Sequence, residues 1–160
     1  MKIIAHLLFL VALASSGCGS DEARQVQEDN IRETVFRYQF TNNAAHGPAT
    51  IEKRIVAFYL SVGEKDQDPS DEFMKRFVDH KPSVRKVSAC STKKLRVEDK
   101  QTGERGLIFH VRSIQWISAI KVEVKGGYYE DGRSASGDIY TVVKKDGKWN
   151  VIKDKMEWIA

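Results

Sequence analysis

YTVVKKDGKWNVIKD, residues 140–154, decides how this chain folds. Two runs rich in β-branched residues flank Asp146-Gly147, and an Asp-Gly pair lets both central positions of a two-residue turn adopt positive φ. The segment therefore reads as an antiparallel hairpin, with residues 138–144 as one arm and 148–153 as the other. The same period of two recurs upstream. Ile120, Val122 and Val124 alternate with Lys121, Glu123 and Lys125, as a strand with one wet face requires. Leu107, Phe109 and Val111 alternate with Ile108, His110 and Arg112. The alternation resumes at Ile114 and Trp116 one step out of phase, which predicts a bulge near Ser113. Residues 84–89 and 95–98 read as minor strands, and Asp131-Gly132 with the small residues up to Gly137 reads as a connection.

Upstream of residue 84 the period changes. Val26, Ile31, Val35, Phe36, Tyr38 and Phe40 recur at helical spacing and predict one long helix over residues 20–41. Ser20, Asp21 and Glu22 suit its first turn, while Asn42-Asn43 and Gly47-Pro48 supply the stop. Residues 54–62 (RIVAFYLSV) are dense in β-branched and aromatic residues and read as a strand. Asp68-Pro69 resembles an N-cap followed by proline at the first helical position. Phe73, Met74, Phe77 and Val78 would form the apolar face of that short helix, which ends near His80. Helices followed by a meander of strands give an α+β class.

The N-terminus carries a separate signal. Lys2, an apolar run over residues 3–14 and the small residues Ser15, Ser16 and Gly17 lead into Cys18. About a dozen apolar residues is short of the roughly 20 that a membrane-spanning helix needs. The expected organisation is a signal peptide over 1–17, a lipid-attached tether over 18–22 and one domain over 23–160. Small residues before Cys18 resemble the bacterial lipobox, in which the cysteine is acylated and becomes the new N-terminus. Ser15 departs from that box, where leucine is usual, and Ala12-Leu13-Ala14 offers a competing ordinary cleavage site. The first reading places the protein in the cell envelope, anchored to the membrane through Cys18, with Gly19 favouring the outer membrane. The second makes it soluble and periplasmic or secreted. Cys90 is a single free thiol in the first case; in the second, a disulfide to Cys18 becomes available. The formal charge is +4, with basic and acidic residues interleaved, so no nucleic-acid partner is expected.

Residues 31–40 (IRETVFRYQF), taken with the Asp146-Gly147-Lys148-Trp149 hairpin and Val151 at the far end, resemble a nuclear transport factor 2-like, or SnoaL-like, domain. The resemblance implies a cystatin-like cone in which a curved antiparallel sheet wraps the long N-terminal helix and leaves a pocket at its open end. Members of that superfamily include enzymes, ligand binders and interaction modules, so the likeness fixes no chemistry.

Enzymes of this kind often place a His or Asp from the sheet in the pocket. That makes His110 and Asp138 the candidate acid/base pair, although strand parity sets His110 opposite Leu107, Phe109 and Val111. Tyr38, Trp116 and Tyr129 are the candidate pocket walls, and Gly126-Gly127 permits a bend beside them. Arg133 with residues 134–137 offers an anion contact or a plain exposed connection. His6, His46, His80 and His110 show no ligand spacing, so no metal and no cofactor is expected. The reading is a non-catalytic envelope domain that binds a small apolar ligand or an envelope protein. The alternative is an isomerase, cyclase or hydrolase using His110 and Asp138, and a homodimer through an exposed sheet face is a third possibility.

Overall fold

A computed structural model of the protein describes residues 18–42 and 55–160. The leader over 1–17, the helix-stop residues Asn43 and Gly47-Pro48, and His46 lie outside the described residues. Helix α1 spans Cys18–Asn42, so the expected tether over 18–22 is helical. Its outer surface is laced by i,i+3 and i,i+4 ion pairs such as Arg32 with Asp29 and Glu28, and Arg37 with Glu33. Its inner stripe, Ile31, Val35, Phe36 and Phe40, is buried against one face of a sheet.

That sheet has six strands in the order β2-β1-β5-β6-β7-β8. The strands are β1 (Ala57–Val62), β2 (Ser83–Lys86), β5 (Gly106–Ser118), β6 (Lys121–Asp131), β7 (Ser134–Lys145) and β8 (Lys148–Ile159). A two-stranded ribbon, β3 (Cys90–Ser91) and β4 (Glu98–Asp99), stands apart from it. From β5 to β8 the chain is the antiparallel meander read from sequence. The turn residues Asp146 and Gly147 take φ of 52° and 78°, and the register breaks between Val111 and Ser113.

The expected α+β cone, a long helix wrapped by a curved antiparallel sheet, is not the architecture found. Among the described residues strand makes up 51% and helix 25%, and the sheet is mixed. Strand β1 pairs parallel with β5, from Ala57 with Gly106 to Val62 with Val111, and parallel with β2 as well. Parallel neighbours need a crossover of a dozen residues or more, and residues 63–105 provide it. Alternation of apolar residues reports which face is buried and carries no information about strand direction, so this pairing was invisible in the sequence.

The crossover also explains why residues 57–60 read as an unbroken apolar run. They are buried on both sides. Phe58 and Leu60 join the helix-side core with Leu107 and Phe109, while Ala57 and Tyr59 join a second cluster with Cys90, Val97 and Ile108. Within the crossover, helix α2 (Asp71–Met74) is capped by Ser70, whose Oγ accepts from the Phe73 amide. Asp68, the cap expected from Asp68-Pro69, instead accepts from the Ser88 amide and ties the crossover to itself. Phe73 and the following single 3-10 turn, Lys75–Phe77, bring Phe73 and Phe77 against Phe36 at centroid distances of 6.1 and 6.4 Å.

The β3–β4 ribbon is held to the second face by one buried carboxylate. Asp99 Oδ2 accepts from the Tyr59 hydroxyl and from Arg85 Nη1, both at 2.6 Å. Asp99 Oδ1 accepts from the amides of Gln101 and Thr102. The Tyr59 hydroxyl, then the Thr102 amide, hold the Asp99 carboxyl down to about 2.

Candidate functional site

Between the second face of the sheet and the crossover lies a cavity of about 530 Å3. Small-molecule sites run from about 300 to 1,000 Å3. Strand parity decides which side chains enter it. Ile108, His110 and Arg112 from β5 lie on this face, opposite Leu107, Phe109 and Val111 of the helix-side core. Tyr129, Ala135 and Trp158 add an apolar wall, and Leu95 closes it from the crossover. Gly137 is required here, because a Cβ at that position would sit 2.1 Å from the indole nitrogen of Trp158, whose ring lies across it. Gly127, with φ of 148°, gives the sheet its local bend, and a Cβ there would meet the Ser136 carbonyl oxygen at 2.1 Å.

Charged side chains of both signs line the cavity, Arg112 and Lys125 together with Asp66, Asp138 and Glu157. His110 is 9% exposed and its Nδ1 lies 3.1 Å from Asp66 Oδ1. The same oxygen accepts from Ser61 Oγ at 3.0 Å and lies 3.5 Å from an Arg112 guanidinium nitrogen. A carboxylate oxygen only accepts, so Nδ1 carries the proton in this contact, and in that tautomer Nε2 keeps its lone pair. The hydrogen bond from His110 is the chief influence that lowers the Asp66 carboxyl below its usual range, against the opposing effect of burial. Lys125 also lines the cavity, and among the described residues no ion pair engages it.

Asp138 does not pair with His110. Its position shares parity with Tyr140 and Val142 of the helix-side core, and although the residue borders the same cavity it makes no hydrogen bond to His110. Asp138 Oδ2 accepts from Ser136 Oγ at 2.6 Å and from the Tyr140 hydroxyl at 3.4 Å. The carboxylate that does meet His110 is Asp66, on the turn after β1. The sequence signal that would have found it is Gly63 followed by three polar residues: Asp66 takes φ of 50°, a conformation that Asp tolerates better than most residues.

Of the three expected wall aromatics, only Tyr129 lines this cavity. Trp116 packs edge-on against Trp149 at 5.7 Å beneath α1, with the Arg24 guanidinium over its ring. Tyr38 stacks edge-on against Tyr140 at 5.8 Å on the helix side. Arg133 and Ser134 belong to the β6–β7 turn, where the Arg133 amide donates to Asp131 and Ser134 Oγ donates to Glu130. Cys90 is free and buried, donating to the Val87 carbonyl, and burial pushes its thiol up to about 11. Among the described residues no three His, Cys, Asp or Glu side chains gather as a metal cluster, and no helix is long and apolar enough to cross a membrane.

No protein-family model matches this chain, and neither the curated proteins nor the solved structures yield a match.

Proposed function

We propose that this chain is a non-catalytic binding domain, exported behind its leader and tethered to the cell envelope through Cys18. Its ligand is a small molecule with an apolar body and an anionic end, held in the cavity on the second face of the sheet. One observation supports this most: an aliphatic and aromatic wall (Ile108, Leu95, Tyr129, Trp158) shares a single cavity with Arg112 and Lys125. An apolar body gains from leaving water at roughly 25 cal/mol per Å2 of buried surface. Arg112 and Lys125 then select a carboxylate or similar group and orient it.

Dodecanoate is a suitable probe. The intrinsic fluorescence of the full-length protein, read through Trp158, should respond to dodecanoate at lower concentrations than to dodecanol, by about tenfold if one charged hydrogen bond is gained. Arg112→Gln should erase most of that difference. Equal binding of the two probes, or no binding of either, would remove the proposal.

The His110–Asp66 contact favours a second reading, a general base acting on a bound substrate, since Nε2 of His110 is left free to accept a proton. His110→Gln separates the two. A binding domain keeps its dodecanoate affinity within a few-fold, whereas an enzyme loses turnover of any substrate found for it.

A further inference from the structure

The helix-side face holds a second, much smaller void, of about 40 Å3, enclosed between the end of α1 and strands β7 and β8. Its lining is rich in oxygen. Asp138, 7% exposed, sits at the floor, and Asp154, which pairs across the ladder with Tyr140, stands at the exposed rim. Gln39 also lines the void and is 3% exposed. Its Nε2 donates to the carbonyls of His110 and Gly127 and to the Tyr140 hydroxyl. Two carbonyl partners fix the orientation of that amide, because the opposite assignment would set oxygen against oxygen. Gln39 Oε1 is consequently the atom left over, buried and with no donor. Asp138 has only the hydroxyls of Ser136 and Tyr140 as donors, and among the described residues no ion pair engages Asp138 or Asp154.

Two carboxylates, and a glutamine whose Oε1 has no donor, thus line one small void, and among the described residues no positive charge pairs with either carboxylate. A buried carboxylate without a cation is costly, and so is a buried amide oxygen without a donor. We propose that this void binds one small cation, held by the carboxylates of Asp138 and Asp154 and by Oε1 of Gln39. The donor set is hard oxygen with no sulfur or imidazole, which favours calcium or an alkali ion over a transition metal. A protonated primary amine offers the same chemistry in the same space, whereas a quaternary ammonium has no N–H to donate to these oxygens.

Thermal unfolding of the full-length protein at fixed ionic strength tests this. Calcium chloride, sodium chloride, methylammonium and tetramethylammonium chloride would each be titrated to about 10 mM against wild type and Asp154→Asn, using the logic that a ligand of the folded state alone raises Tm. Asp154 lies at the exposed rim, so the variant folds. A Tm rise of several degrees with calcium or sodium, weakened at least tenfold in apparent affinity by Asp154→Asn, identifies a metal ion; the same pattern with methylammonium but not tetramethylammonium identifies an amine. A rise of equal size in the variant, or a response to no cation at all, overturns the proposal and leaves an ordered water as the occupant. Asp138 lines both spaces, so Asp154, which lines the small void and not the larger cavity, is the position that tells them apart.

Discussion

Replacing Asp99 with Asn should unfasten the ribbon that closes the ligand cavity. The variant amide keeps its oxygen for the Gln101 and Thr102 amides, at 2.9 and 3.0 Å in the wild type, so the loss falls on the other side of the group. There the Tyr59 hydroxyl and Arg85 Nη1 each give up a 2.6 Å bond to a charged acceptor. Bonds of that kind contribute about 1.5–3 kcal/mol each. The Arg85 side chain is 41% exposed and recovers water, so its share lies at the low end. Tyr59 is wholly buried, and its hydroxyl can then only accept from the new amide. The expected cost is about 3 kcal/mol, which for a domain of this size lowers Tm by about 10 °C. Because the folded Asp99 carboxyl lies at about 2, below its unfolded value near 3.9, its contribution is complete above about pH 4 and is lost as pH falls through 2. The gap in Tm between wild type and variant should therefore be constant from pH 5 to 7 and narrow below about pH 4. Circular dichroism melts across that range measure it, and a gap under about 3 °C at neutral pH would refute the assignment of Asp99 as the clasp.

Three further outcomes follow from the same structure. Gly137→Ala would drive a methyl group into the Trp158 ring, so the indole must swing off the sheet; its emission should shift to the red and dodecanoate binding should weaken, with only a modest loss of stability. Asp66→Asn removes the carboxylate that competes for Arg112 and His110 while tolerating the positive φ, so dodecanoate should bind several-fold more tightly in a fluorescence titration. Cys90, buried and with its thiol held up to about 11, should resist iodoacetamide at pH 8 in the folded protein and react readily in denaturant, as counted by mass spectrometry of the alkylated chain.

The elements with local causes were legible before any coordinates. The stripe of Ile31, Val35, Phe36 and Phe40 announced α1, Asp146-Gly147 announced the last hairpin, and the phase slip after Val111 announced the bulge. The cap of α2 was misread because Asp68-Pro69 has the right chemistry, yet Ser70 sits in the geometry that reaches Phe73. What the sequence hid was non-local. Nothing in residues 57–62 says that their partner is a parallel strand beginning at Gly106, and the cone followed from assuming the meander was the whole sheet. The candidate site shows the same limit. His110 was found from its strand, but its partner came from a turn distant in sequence, and Asp138 was paired with it although Asp138 shares the parity of Tyr140 and Val142. The seat of Trp158 on Gly137 needed the β7–β8 register to be visible.

The parallel pairing of β1 also orders events in time. The meander from Gly106 onward is made of neighbours in sequence and can zip up by itself, but β1 joins it only through β5, which needs the chain through residue 111, its other ladder being the short one to β2. Closing so long a loop is entropically slow. Until it closes, residues 57–62 keep one apolar edge open, the natural target for a holding chaperone. Pulsed hydrogen exchange during refolding should accordingly protect the amides of β6 and β7 before those of β1.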